Sequence, residues 1–130
     1  MVIVLRQRDR EARRLVASTR DHRGRDLRAR KLTGLDLRGC CFAGADLSAA
    51  DLTECDLTGA DLSGANLVSA SLTGAQLAGV DLSDADLTGA YLIATNLRNA
   101  TINGARFDQA IWDQATTWPD GGHTATPPDT

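Results

Sequence analysis

The chain has 130 residues and a formal net charge of −3, from 14 Lys and Arg against 17 Asp and Glu. That is room for one modest domain, without the basic excess of a dedicated nucleic-acid binder. Hydrophobic residues make up 42% of the chain but aromatic ones only 4%, so any core is built from Leu, Ala and Val, and three Cys do not make a disulfide framework.

Residues 1–24 read as a basic, partly helical N-terminal cap. The apolar start Val2–Ile3–Val4–Leu5 stops at Arg6, too short for the apolar core of a signal peptide. From Arg8 to Thr19 the pattern predicts a helix with Leu5, Ala12, Leu15 and Val16 on one face. Leu15 and Val16 are therefore candidate end-cap residues. Residues 1–34 carry 11 Lys and Arg against 4 Asp and Glu. The first reading of this head is a solvated cap helix; it also suits docking on the acidic wall of a second copy, which would give a dimer or filament. Binding of nucleic acid by the head is a lesser alternative. Eleven cations suit phosphates, but no Phe, Tyr or Trp precedes Phe42, which leaves no platform for stacking single-stranded bases.

Residues 25–115 repeat with a period of five. Leu stands at 27, 32 and 37, then at every fifth position from 47 through 97, and Phe42, Ile102, Phe107 and Trp112 complete the register. Two places before each, from Cys40 to Ala115, 12 of 16 residues are Ala. The place just before the Leu is often Asp or Asn, and Gly closes many units. On an α-helix this period would spray the Leu around the circumference, and on a long strand it would flip each Leu to the opposite face. A turn in every unit resolves the conflict: Leu and Ala share one side of a short extended segment and point inward, while a Gly corner redirects the chain.

Runs such as Ala60-Asp61-Leu62-Ser63-Gly64 and Ala85-Asp86-Leu87-Thr88-Gly89 resemble the A(D/N)LXX unit of pentapeptide-repeat proteins. The resemblance covers roughly residues 25–115. It implies an all-β fold, a right-handed quadrilateral parallel β-helix of about four and a half coils with four units per coil. In that geometry Leu47, Leu52, Leu57, Leu62, Leu67, Leu72, Leu77, Leu82, Leu87, Leu92 and Leu97 form stacked internal columns, residues twenty apart lying above one another. Trp112 would extend the column of Leu32, and Ala115 would continue the small series.

Residues 116–130 read as a C-terminal cap followed by a disordered tail from Gly121 to Thr130. Trp112 and Trp118 are the candidate lids over the last coil, because a solenoid leaves unpaired edges that need covers. Nineteen uncharged residues separate Asp61 from Asp81, but Ser, Asn, Thr and Gln scattered through them argue against a membrane span. A cytoplasmic location is the expectation.

Residues 35–115 carry 3 Lys and Arg against 11 Asp and Glu. Asp36, Asp46, Asp51, Asp56, Asp61, Asp81 and Asp86 are the candidate acidic, partner-binding wall; the competing reading is that they bond turn amides and keep the surface hydrated. Catalysis finds no nucleophile with a base and an orienting group. The only His residues, His22 and His123, lie in the head and tail, so neither a metal site nor a cofactor is expected. Two functions stay open. One is a rigid, non-catalytic scaffold that recognises a protein partner through its outward polar and acidic walls. The other comes from the resemblance: some pentapeptide-repeat proteins resemble B-form DNA, bind DNA gyrase or topoisomerase IV and confer quinolone or toxin resistance. Those proteins tend to be longer, acidic throughout, and joined as dimers by a C-terminal helix, which the basic head and Pro/Gly/Thr tail here do not match.

Overall fold

The computed structural model describes residues 5–120, and the tail expected at Gly121–Thr130 lies outside them. One helix, α1 (Gln7–Ser18), is followed by a β-solenoid. Parallel bridges join residues twenty apart, from Asp21↔Cys41 through Tyr91↔Ile111. Each bridge is isolated, because a side of the solenoid holds only a short extended stretch before the chain turns again.

Hydrogen bonding explains why five residues make a unit. In Asp61–Ala65 the amide of Asp61 donates to the Cys40 carbonyl, while Leu62 and Gly64 donate to Asp81 and Ser83 on the other side. The amide of Ala65 donates back to Leu62 within the turn. Only the Ser63 amide lacks a backbone partner, and Asp61 Oδ1 accepts it at 2.9 Å. Every donor of the unit is thereby satisfied without water, as a buried backbone requires. The corner residue has φ between +56° and +74° in every unit from Gly24 to Gln109. Glycine reaches this region freely, whereas Ala49 (φ +57°) and Ala94 (φ +56°) do so at a cost of about 1–2 kcal/mol each.

Four internal stacks follow from the bridge register. They are Leu27–Leu47–Leu67–Leu87–Phe107, Leu32–Leu52–Leu72–Leu92, Leu37–Leu57–Leu77–Leu97, and Phe42–Leu62–Leu82–Ile102, all buried. Burying each Leu contributes about 1.5–3 kcal/mol. In the gaps between them sit the small residues, where a larger polar group must find an acceptor. Cys55 donates its thiol to the Leu32 carbonyl, and the hydroxyls of Thr95 and Thr116 do the same to Leu72 and Leu92.

At both ends the structure departs from the sequence reading. The solenoid begins at Asp21, not at residue 25. His22 is fully buried at the head of the Phe42 stack, its ring stacked on Phe42 at 5.0 Å, and Nε2 donates to the Thr19 carbonyl. At the other end the register slips by one residue, and the last bridge joins Asn96 to Thr117, twenty-one apart. Asp113 stitches the extra residue in: its Oδ1 accepts the amides of Ala94 and Ala115, and its own amide donates to the Thr116 hydroxyl oxygen. Ala115, expected inside, is exposed, and Thr116 is buried in its place. Trp112 is only half-buried, while Trp118 is fully buried beyond Leu97 and meets Phe107 and Trp112 edge to face at 5.5 and 5.8 Å.

Two stability outcomes are expected. Leu67→Arg, or Ala65→Trp, places a charge or an oversized ring inside the middle of the stack, and cooperative thermal melting followed by circular dichroism should be lost. Ala49→Gly should instead raise the unfolding free energy by about 0.5–1 kcal/mol in a denaturant titration, the left-handed cost less the entropy of a freer glycine; a decrease would contradict the strain assigned to that corner.

Candidate functional site

Four outer sides carry the residues that a partner would meet. The outward residue of each unit falls into one of four rows: Asp21, Cys41, Asp61, Asp81 and Thr101; Asp26, Asp46, Asn66, Asp86 and Arg106; Lys31, Asp51, Ser71, Tyr91 and Ile111; Asp36, Asp56, Gln76, Asn96 and Thr117. The seven aspartates expected to form a wall are thus spread over all four sides. Asp61 and Asp81 share one, Asp46 and Asp86 another, Asp36 and Asp56 a third, and Asp51 stands on the fourth. A five-residue period on a twenty-residue coil forces this dispersal, since consecutive units face successive directions.

Each of these carboxylates also has local work. Oδ1 of Asp46, Asp51, Asp56, Asp61, Asp81 and Asp86 accepts the amide two residues on at 2.9–3.1 Å. The Ser or Thr hydroxyl there often donates to the same oxygen, as Ser63 does to Asp61 and Thr88 to Asp86. These hydroxyl bonds, ahead of the amide bonds, hold the carboxyls of Asp61 and Asp86 below their ordinary range. The other oxygen accepts from the Cys41 thiol in Asp61 and faces Arg28 and Arg38 in Asp46 and Asp56; in Asp51, Asp81 and Asp86 it is left for solvent or a partner.

In the first coil the hydroxyl is replaced by arginine. Arg23, Arg28 and Arg38 form exposed ion pairs at 2.8–2.9 Å with Asp21, Asp26 and Asp36. Arg28 and Arg38 also lie 3.8 Å from Asp46 and Asp56 of the next coil, so the bridged pairs Asp26–Asp46 and Asp36–Asp56 each have a guanidinium between them. The pairing holds Asp21 and Asp26 at about 2, chiefly through the side-chain hydrogen bonds from Arg23 and Arg28.

The basic head has a structural reason in the ladder. Every unit sends two carbonyls and one amide toward the N-terminal end and the reverse toward the C-terminal end. The first edge is therefore rich in acceptors, and cationic donors meet it. Arg13 Nη1 donates to the Thr33 carbonyl at 2.9 Å, Arg20 to the Arg38 carbonyl, and Arg25 to the Asp21 carbonyl at 3.5 Å. The edge amide of Lys31 donates to Oδ1 of Asp9, a carboxylate buried under α1. Ala12 and Val16 of α1 are buried as the sequence predicted, while Leu5 and Leu15 are half-buried. From the sequence His22 is placed only in the head, outside the repeat, and Asp9 is given no role. The signal for His22 was present, since Asp21-His22-Arg23-Gly24 has the Asp and the corner Gly of a repeat unit; nothing local marked Asp9.

Tyr91 and Ile111, 43% and 45% exposed, are the large apolar residues left in solvent among the described residues. They are bridge partners on one side of the rod, with half-buried Ile93 and Trp112 beside them. The three cysteines are free, and burial pushes Cys55 up to about 11. No group of three metal-binding side chains converges, and no helix is long and apolar enough to cross a membrane, among the described residues.

The family model for pentapeptide repeats matches residues 31–68 and 75–111 in eight copies. Among solved structures, the chain is similar to alr5209, a pentapeptide repeat protein of Nostoc PCC 7120, with 37% identity over 83% of this chain and 79% of that one, at a TM-score of 0.43. It is similar also to HetL of Nostoc sp. PCC 7120, a pentapeptide repeat protein involved in heterocyst differentiation regulation, with 27% identity, 80% of this chain covered and a TM-score of 0.39; the chain spans 60% of HetL. QnrB1, a plasmid-mediated fluoroquinolone resistance protein, is 20% identical over 72% of this chain and 60% of its own, at a TM-score of 0.28. A search of curated proteins found no match.

Removing Asp9 leaves the part-buried edge amide of Lys31 without its acceptor, and Asp9→Ala should lower the unfolding free energy by about 0.5–1.5 kcal/mol in a denaturant titration. The ion pairs set an acid response as well. Asp21 and Asp26 have folded values of about 2 against an ordinary 3.8, so their stabilisation is present above about pH 4 and lost as pH falls toward 2. Between those limits the melting temperature of the native chain should fall more steeply than that of Asp26→Asn; parallel curves would show that the Arg28 pair contributes nothing.

Proposed function

Because the chain belongs to the pentapeptide repeat family, we propose that it is a non-catalytic scaffold that holds a protein partner against its outer walls. The observation that carries this reading is the Tyr91–Ile111 pair. In a rod whose stacks bury every other large aliphatic group completely or in part, two bridge-paired apolar side chains stand in water on the side that also carries Asp51 and Ser71. Aromatic and aliphatic anchors of this kind supply much of the binding energy at protein interfaces, and the aspartate oxygens around them supply a polar rim. The backbone beneath is pre-organised by the ladder, so little ordering entropy opposes association. The single described helix is occupied in covering the first edge, and the buried His22 is engaged with Thr19, which leaves the walls for recognition. The reading includes a cytoplasmic location, consistent with three free thiols.

A second reading is favoured by the dispersal of the aspartates. With acidic residues on all four sides, the rod presents negative charge in every direction, as a duplex does, and the alternative partner is DNA gyrase or topoisomerase IV. The basic first coil stands against it.

Affinity capture from native cytosol separates these. The scaffold reading expects a partner retained by the wild type and lost with Tyr91→Ser/Ile111→Ser, the melting temperature being unchanged. A partner that survives this variant and is released by Asp61→Asn/Asp81→Asn would move recognition to the acidic residues. Inhibition of purified gyrase in a supercoiling assay at micromolar protein, relieved by those Asp→Asn changes, would establish the second reading; unaltered supercoiling with and without quinolone would remove it.

A further inference from the structure

The cations of the head are not all used by the first edge. Arg13, Arg20 and Arg25 donate to its carbonyls, and Arg23 and Arg28 are paired with aspartates. Arg6, Arg8, Arg30 and Lys31 have no side-chain hydrogen bond or ion pair among the described residues, and all four line one cavity of about 400 Å³ with Asp9 and Ala29, between the start of α1 and the first coil. A second cavity of about 260 Å³, lined by Arg8, Asp26, Arg28, Ala29 and Arg30, adjoins it through the shared Arg8, Ala29 and Arg30. Arg30 reaches this place because it occupies an interior small-residue position of the repeat, where its side chain cannot be enclosed as Ala is.

We propose that this double cavity is an anion site for a compact ligand carrying two or more linked phosphoryl groups. Five cations and two carboxylates line it. Both carboxylates are already engaged, Asp9 by the Lys31 amide and Asp26 by Arg28, so they subtract charge without closing the site. A phosphate monoester carries about −1.5 to −2 at neutral pH, and one such group leaves the excess of about three positive charges unmatched, whereas two or three linked groups balance it. Guanidinium forks recognise phosphoryl oxygens in pairs. Neither cavity is lined by an aromatic or a large apolar side chain, so the ligand is held through its phosphoryl groups and any base or acyl portion stays in solvent. Duplex DNA fits less well, since a row of phosphates laid across the first coil would pass over the carboxylates of Asp21 and Asp36 on the adjoining sides. Lys31 stands on the same side of the rod as Tyr91 but three coils away from it, so either reading can fail without the other.

Calorimetric titration of the whole chain with sodium tripolyphosphate is the test, with metal-free ATP as a second arm. Tripolyphosphate should bind, and binding should weaken between 50 and 200 mM salt, about the range over which phosphate contacts are screened. Arg8→Gln/Arg30→Gln should lose about tenfold or more in affinity, while Arg98→Gln, remote from the head, should lose less than about twofold. Equal affinity for ATP would identify the phosphoryl tail as the recognised part; much tighter ATP binding would overturn recognition through phosphoryl groups alone. Lys31→Gln, on an exposed outward position, should weaken binding even if the double variant does not fold. No binding at millimolar tripolyphosphate, equal losses in Arg98→Gln, or tighter binding of duplex DNA than of tripolyphosphate at the same salt would overturn the proposal.

Discussion

The fold rests on one constraint, that each five-residue unit inside the rod must place its backbone donors in the ladder. Four go to carbonyls, one in the coil before, two in the coil after and one within the turn, and in the units opened by Asp or Asn the fifth is taken by that side chain. Asp and Asn therefore recur because their oxygen sits two residues from an amide that the ladder cannot reach. Leu and Ala recur because two inward places per side must fill a narrow interior at crystal-like density. Gly recurs because the corner is left-handed, and where it is absent the corner conformation persists, held by the bonds on either side.

The same ladder gives the rod a direction. More carbonyls than amides point toward the N-terminal end, and the side chains gathered there are mainly arginine, with Asp9 reserved for the one amide it accepts. A basic head on an acidic rod thus has a local cause before any partner is invoked. The cations that exceed this need are those that turn toward the cavities beside α1.

For recognition, the geometry turns a sequence pattern into four separate surfaces. Aspartates that follow one another every five residues face different ways, and those that share a side are twenty or forty apart. A partner meeting one side sees at most a few of them, with one oxygen of each committed to its turn. Tyr91 and Ile111 are distant in sequence yet adjacent on the rod, so a modest apolar spot appears where the chain shows only two isolated departures from its pattern.

The repeat alone determined regular turning and the inward and outward residues, because a five-residue period must turn to bury Leu and Ala together. Four units per coil, and with it the stacks from Leu27 to Ile102, was implied only by the resemblance to pentapeptide-repeat proteins, and the bridges between residues twenty apart show it. The repeat did not determine the ends. There the pattern competes with single interactions: His22 enters the Phe42 stack by ring stacking, and Asp113 and Thr116 absorb one extra residue so that Trp118, not Trp112, is fully buried. The buried role of Asp9 and the cavity shared by Arg6, Arg8, Arg30 and Lys31 were likewise decided only by tertiary structure. Both depend on where a helix outside the repeat comes to lie, and periodicity carries no information about the docking of a segment that does not share it.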